Sequence, residues 1–301
     1  MLHFIKVEIL ELKVKLMPAY NYSPLRYPGG KNKLSKYISK LIEHNNLLHG
    51  TYIEPYAGGA AVALNLLLTG KVNNIIINDF DRSIYAFWHS VLYDTDRLCS
   101  LINEVSIDLE NWTYFKELQN RKQDVPLLEL GFATFYLNRT NRSGIIKAGV
   151  IGGKKQNGNY KMDCRFRKDI LIEKIKLIAQ HREYITIYNL DTTELIGNVI
   201  NNIEEQSFIF FDPPYYKKGS TLYVNYYKHQ DHVDLMNEIS NIQNHKWIVT
   251  YDNVDEISTI YSNYQTTTYN LTYTAEKKYS GSEIMIFSNN LELNENLLNV
   301  I

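Results

Sequence analysis

Asp212-Pro213-Pro214-Tyr215 follows directly on an apolar run, Phe208-Ile209-Phe210-Phe211. A buried strand of that kind delivers its last side chain to the C-terminal edge of an open α/β sheet, where such sheets bind ligands. The two prolines fix the backbone at that corner, and the tyrosine offers a flat face. The arrangement suits one kind of chemistry. An exocyclic amine on an aromatic ring, such as that of adenine, is a poor nucleophile because its lone pair is delocalised into the ring. The Asp212 carboxylate and the Pro213 main-chain carbonyl are two acceptors that draw the amine hydrogens. They turn the lone pair toward an electrophilic methyl group while the ring stacks on Tyr215. The plainer reading is a strand terminator with an incidental acid.

A second constellation lies upstream. Residues 51–61 read as a strand, a glycine turn and a helix start, with Gly58 and Gly59 at the turn. Glycines there let the backbone approach a ligand closely, and a helix N-terminus favours a negative group. Asp79 comes twenty residues after Gly59, at the end of the next apolar run. An acid in that place can accept both hydroxyls of a ribose. Without Asp79, the glycine pattern would be an ordinary strand–helix turn.

Charge supplies a third signal. The 301 residues carry 32 Lys+Arg and 33 Asp+Glu, a net charge of −1. Residues 139–168 hold Arg139, Arg142, Lys147, Lys154, Lys155, Lys161, Arg165, Arg167 and Lys168 against one acid, Asp163. That stretch is +8, and the rest of the chain is −9. Gly144, Gly149, Gly152, Gly153 and Gly158 make it a loop or hairpin rather than a helix. A basic, glycine-rich arm on an acidic body suits phosphate binding; it would equally suit a solvated loop. The two cysteines, Cys99 and Cys164, exclude a disulfide scaffold and a cysteine-based zinc site. His229 and His232 lack a matching partner pair, so no metal is expected. With no apolar run near the ~18 residues of a membrane helix, the expected setting is cytoplasmic.

These residues need elements to hold them. Strands are expected at 51–54, 72–77, 184–188, 207–211 and 246–251, with a closing pair near 266–274 and 283–287. Helices are expected at 32–45 and 60–68, with Asp81 capping the next one. Residues 95–182 read as mostly helical apart from the basic arm. Strands alternating with helices imply a doubly wound, mostly parallel α/β sheet carrying a mainly helical insert. The division is residues 17–94 and 183–301 for the sheet domain and 95–182 for the insert. Residues 1–16, of alternating character, are read as an N-terminal extension dispensable for activity.

The motifs in their order resemble the Dam-like DNA adenine methylase family, over residues 22–289. Ser23-Pro-Leu-Arg-Tyr-Pro-Gly-Gly-Lys31 is similar to that family's N-terminal cofactor motif and Glu54-Pro-Tyr-Ala-Gly-Gly to its S-adenosylmethionine loop. Asn78-Asp79 is similar to its ribose-binding acid, and Asp212 to Tyr215 to its catalytic tetrapeptide. Residues 137–144 and 246–253 also look familial. The resemblance implies a Rossmann-like methyltransferase fold that uses S-adenosylmethionine to methylate the adenine amino group of double-stranded DNA, the base being flipped out. It implies that Tyr27, Lys31, Glu54, Gly58, Gly59, Asp79 and Asp212 line the cofactor site. It places the basic arm in a target-recognition insert, with Arg139 or Arg142 the candidates for guanine edges. A cognate restriction endonuclease, acting separately, is an expected companion. Carbon-5 cytosine methylation needs a thiol commonly placed after proline, and neither Cys99 nor Cys164 has one. RNA or protein-glutamine methylases of this architecture tend to carry Asn in place of Asp212. Methylation of a cytosine amino group and a catalytically silent DNA-binding subunit remain the alternatives.

Overall fold

The computed structural model describes residues 21–26, 31–217, 227–274 and 278–294. Tyr27 and the extension at 1–16 lie outside them. Seven strands form one sheet: β1 (Thr51–Glu54), β2 (Asn74–Asn78), β3 (Ile185–Tyr188), β4 (Phe208–Phe211), β5 (Lys246–Asp252), β6 (Gln265–Thr274) and β7 (Lys278–Phe287). Their order is β3-β2-β1-β4-β5-β7-β6. The pairs from β3 to β5 are parallel, and β7 runs antiparallel to both β5 and β6. The expected doubly wound α/β sheet is therefore what forms.

Short, apolar strands buried on both faces are what a parallel sheet between two helical layers requires. The period-2 alternation assigns each side chain to a layer. Tyr52, Ile75, Ile77, Phe208, Phe210, Ile248, Met285 and Phe287 enter one cluster. Ile53, Ile209, Phe211, Trp247, Val249, Tyr251, Ile284 and Ile286 enter the other. His229 and His232 serve the second face. Their Nδ1 atoms lie 3.0 Å and 3.1 Å from the hydroxyls of Tyr216 and Tyr251, respectively.

The helices are α1 (Ser35–His44), α2 (Ala61–Leu68), α3 (Arg82–Tyr93), α4 (Thr95–Glu104), α5 (Leu109–Asn120), α6 (Leu127–Thr140), α7 (Lys168–Ala179), α8 (Thr192–Asn198), α9 (His229–Ser240) and α10 (Asp255–Ile260). Asp81 caps α3 as expected, accepting from the Ser83 amide at 3.0 Å. The helix expected from residue 32 opens instead with a tight 3-10 turn, Lys31–Leu34. The last strand is longer than its apolar part suggested, because Lys278 to Ser282 continue the pairing with β6.

Helices α4 to α7 fall within residues 95–182, and they have no core of their own. Leu98, Ile102, Phe115, Phe135 and Ile175 belong to the same contiguous cluster as the strand residues Tyr52 and Phe208. Gly131 in α6 makes that continuity close. A Cβ at this position would clash with the Ala86 carbonyl oxygen of α3 and lie 2.5 Å from the Ser90 hydroxyl. Gly131→Ala should therefore destabilise the whole protein, by about 1–3 kcal/mol as overpacking does. Thermal unfolding should show a single lowered transition. A separate early transition would mean that the insert unfolds alone.

Candidate active site

Parallel order reverses between β1 and β4, and the crevice at the C-terminal ends of those strands is the topological switch point. On the β1 side the chain leaves Glu54 and turns through Gly58 and Ala60, both with left-handed backbone at φ 45° and 46°. The turn is held from several directions. The Ala57 amide donates to the Asn78 carbonyl at 2.8 Å, and the Trp88 indole donates to the Gly58 carbonyl at 2.9 Å. Asn78 in turn donates to the carbonyls of Pro55 and Leu190, locking the ends of β1, β2 and β3 together.

Asp79 stands at the centre of this turn. One carboxylate oxygen accepts from the Gly58 amide and the other from the Asp81 amide, each at 2.9 Å. A carboxylate has about four lone-pair sites, so each oxygen keeps acceptor capacity. Asp79 is half-buried, and a recess lined by Ala57, Ile77, Tyr85, Trp88, Ile187 and Tyr188 opens beside it. Desolvation by burial, with the Asp81 carboxylate adding to it, pushes the Asp79 carboxyl up to about 7. Glu54 has an internal occupation. It is buried, and its Oε1 accepts from the Tyr52 hydroxyl and from the Ala63 amide of α2, both at 3.0 Å. Burial raises its carboxyl to about 8.

On the β4 side, Asp212 lies directly past the strand end. Its Oδ1 accepts from the Thr250 hydroxyl of β5 at 2.7 Å and lies 3.0 Å from the Lys31 ammonium. Burial raises the Asp212 carboxyl and the Glu283 charge adds to the rise, while Lys31 opposes it. The chain after the tetrapeptide is clasped by Asp252, which accepts from the amides of Tyr216 and Lys217 at 2.8 Å and 3.0 Å. Sequence reasoning gave Thr250 and Asp252 no role beyond the familial stretch 246–253 and passed over Glu283. The available signal was an isolated acid opening the apolar run Ile284 to Phe287.

Tyr215 corrects an expectation. Its ring is 3% exposed and offers no open stacking face. The hydroxyl is drawn inward, donating to Glu283 at 2.5 Å and accepting from Lys31 at 3.0 Å. A phenol that satisfies a buried carboxylate and ammonium is held by them.

The basic arm is a loop as expected, fixed at its root by an antiparallel bridge between Asn141 and Val150. Arg142, Lys147, Lys154, Lys155, Lys161, Arg165 and Arg167 are exposed. Arg139 is not available with them. Its guanidinium donates through Nε and Nη2 to the Pro24 carbonyl, and burial lowers its pKa to about 9. Lys168 likewise caps the Asn103 and Val105 carbonyls, both at 2.7 Å. The expectation that Arg139 reaches a guanine edge is thus overturned, because its donor fork is committed inside the protein.

The comparisons with known proteins meet this geometry. The pattern of the D12 class N6 adenine-specific DNA methyltransferases matches residues 27–277. The chain belongs to that family. Its reaction is methylation of adenine in DNA, which sets aside the cytosine and silent-subunit alternatives. Type II methyltransferase M.MjaIII of Methanocaldococcus jannaschii is 25% identical over 212 residues, covering 64% of this chain and 68% of the relative. Type II methyltransferase M1.LlaDCHI of Lactococcus lactis subsp. cremoris is 21% identical over 215 residues, covering 68% and 69%. Among solved structures, a putative RNA methyltransferase from Pyrococcus horikoshii aligns at TM-score 0.41 and 9% identity over 88% of each chain.

Within this family member, residues 137–144 act as a clamp. The Asn138 side chain accepts from the Arg26 amide and donates to the Arg26 carbonyl, both at 2.8 Å, as a neighbouring strand would. It also donates to the Gly144 carbonyl at 2.8 Å. Arg139 holds Pro24, and Lys174 of α7 donates to the Asn21 carbonyl at 2.6 Å. The stretch 21–26, allotted by sequence to the sheet domain, is therefore bonded to the insert. Arg139→Ala should lower the melting temperature, the loss of a buried charged donor costing about 1.5–3 kcal/mol. Calorimetric scanning of wild type and variant checks this, and an unchanged melting temperature would return Arg139 to the candidates for DNA contact.

Proposed function

We propose that this enzyme binds S-adenosylmethionine across the β1/β4 crevice and passes its methyl group to the N6 amine of an adenine flipped out of double-stranded DNA. The observation that carries the reading is Asp212, fixed by Thr250 and Lys31 at the end of β4, next to the strand whose glycine turn is bonded to Asp79. The pocket residues fit the cofactor. Asp79 keeps an acceptor site on each oxygen for ribose hydroxyls, and apolar side chains, Ile77 and Trp88 among them, lie beside it. Gly58 and Gly59 bring backbone close, Glu54 holds the turn onto α2, and Lys31 stands at the methionine end. When bound, S-adenosylmethionine supplies a methyl group made electrophilic by the sulfonium sulfur.

The chain's own part is to hold and orient. Asp212 accepts one amine hydrogen and the Pro213 carbonyl the other, which frees the lone pair; Pro214 keeps that corner rigid. The amine loses a proton as the new N–C bond forms, and an ionised Asp212 is the nearest acceptor for it. Tyr215 fixes the corner from beneath through its hydroxyl. Base flipping costs a few kcal/mol, and the acidic body cannot offset it through phosphate contacts. Arg142, Lys147, Lys154, Lys155, Lys161, Arg165 and Arg167 supply those contacts, with Arg142 the remaining candidate for a base edge. Residues 95–182 serve as the target-recognition insert. The type II naming of both relatives supports a setting in which a separate restriction endonuclease reads the same sequence, in the cytoplasm.

Asp212→Ala should abolish methyl incorporation into adenine with circular dichroism near wild type, while the melting temperature falls because the buried Lys31 ammonium loses one of its anions. Incorporation at wild-type turnover would remove Asp212 from the mechanism. Asp79 gives a pH test. Its raised carboxyl is protonated as pH falls through about 7, and a protonated acid is a poorer acceptor for ribose hydroxyls. Cofactor affinity measured by calorimetry should therefore weaken below about pH 7. Asp79→Ala should lose about tenfold or more at high pH, one decade per ~1.4 kcal/mol, and should lose the pH dependence as well. An affinity flat with pH in the wild type would place Asp79 outside the site.

A further inference from the structure

Glu283 is the most enclosed carboxylate in the described structure, 1% exposed, and it lies three strands from the cofactor turn. Its partners come from every side. The Lys31 ammonium donates to both oxygens, at 3.2 Å and 3.1 Å. The Tyr215 hydroxyl donates to Oε1, and the Tyr269 hydroxyl of β6 donates to Oε2. Asp252 of β5 is its register partner, turned to the amides of Tyr216 and Lys217. Asp212 Oδ1 lies 3.0 Å from the same ammonium.

We propose that Glu283 is a positioning residue for methyl transfer, holding the Lys31 ammonium against Asp212 and the Tyr215 hydroxyl in place, so that the carboxylate receiving the amine keeps its aim and its charge balance. This rests on Asp212 being the acceptor for the adenine amine. The geometry gives the reason. Lys31 sits on a short 3-10 turn, and its long side chain would have many rotamers without a second anchor. Glu283 provides that anchor from β7, a strand locked on both edges. Its negative charge also faces Asp212 across one ammonium, so Asp212 shares the cation rather than owning it. A carboxylate paired with an undivided cation would be a weaker acceptor for an amine hydrogen.

The test uses Glu283→Gln, which keeps the shape and removes the charge, together with Tyr269→Phe, which removes one donor and keeps the charge. Methyl transfer to a duplex substrate is followed against pH for wild type and both variants. Titration of Asp212 is followed in the ligand-free proteins by carboxyl 13C NMR after aspartate labelling, with Asp212→Asn for assignment. In Glu283→Gln the acid limb of kcat and the Asp212 titration should both move to lower pH, because a neighbouring negative charge has gone. At the plateau kcat should fall by about tenfold with cofactor KM within about twofold. Tyr269→Phe should leave both pH readouts in place. Should Glu283→Gln fail to fold, Glu283→Asp carries the test: the charge stays while its reach shortens, so kcat falls and the acid limb holds. An unmoved Asp212 titration in Glu283→Gln, equal movement in Tyr269→Phe, or wild-type kcat in Glu283→Asp overturns the proposal. A wild type that transfers no methyl to adenine defeats the Asp212 assignment instead, and the ligand-free titration still reports whether Glu283 and Asp212 share a cation.

Discussion

A lysine ammonium whose side chain is 3% exposed cannot be left without anions, and that requirement organises the β4 side of the crevice. Taking such an ion out of water costs several kcal/mol even after relaxation. The cost is offset only if its donors are met, and Lys31 meets Asp212, Glu283 and Tyr215. Those partners come from the end of β4, from β7 and from the corner after β4. Strand β5 lies between β4 and β7 and contributes Thr250 to the same group. The cluster therefore exists only when β4, β5 and β7 are in register, which makes the site a product of the sheet rather than of one loop. Breaking one partner would strand an uncompensated buried charge, so the cluster tolerates little movement.

The β1 side of the crevice is built on a different principle. Among the described residues it has no buried cation, and its acid is held by backbone amides from Gly58 and Asp81. Amide donors orient a carboxylate without neutralising it, which leaves Asp79 able to accept from a neutral hydroxyl-bearing ligand. Lys122 of the insert reaches Asp81 at 2.6 Å, so even this end is braced from outside the sheet. The two halves suit their tasks. One suits a ribose met through hydrogen bonds under the function proposed above, and the other suits a carboxylate held at a reacting amine.

What the sequence disclosed follows from the range of the interactions involved. The apolar run 208–211, the turn at Gly58 and Gly59, and Asp79 are local patterns, and each is found where its period or spacing placed it. The doubly wound sheet followed from the alternation of such patterns. Glu283 was hidden because its significance is entirely non-local. It is separated from Lys31 by 252 positions, and an acid at the head of an apolar strand reads as a solvent-facing edge. Tyr215 was misread for a related reason. Aromatic residues offer both a face and a hydroxyl, and only the tertiary partners decide which is used. Arg139 shows the same limit. A run of basic residues counts charge but cannot say which guanidinium has found a carbonyl inside the protein.

The root of the basic arm and the stretch 21–26 are joined by short contacts. Asn138, at the end of α6, holds Arg26 by both backbone groups, and Arg26 stands five residues before Lys31. Gly144, at the root of the arm, has φ +76°, and a Cβ there would collide with the Arg26 carbonyl. A displacement of the arm's root therefore moves Arg26 with it, since neither contact has slack. The buried asparagine of the familial stretch 137–144 is thus explained by what it holds: its side-chain amide accepts from one backbone group of Arg26 and donates to the other, which a lysine or arginine, having no acceptor, could not do.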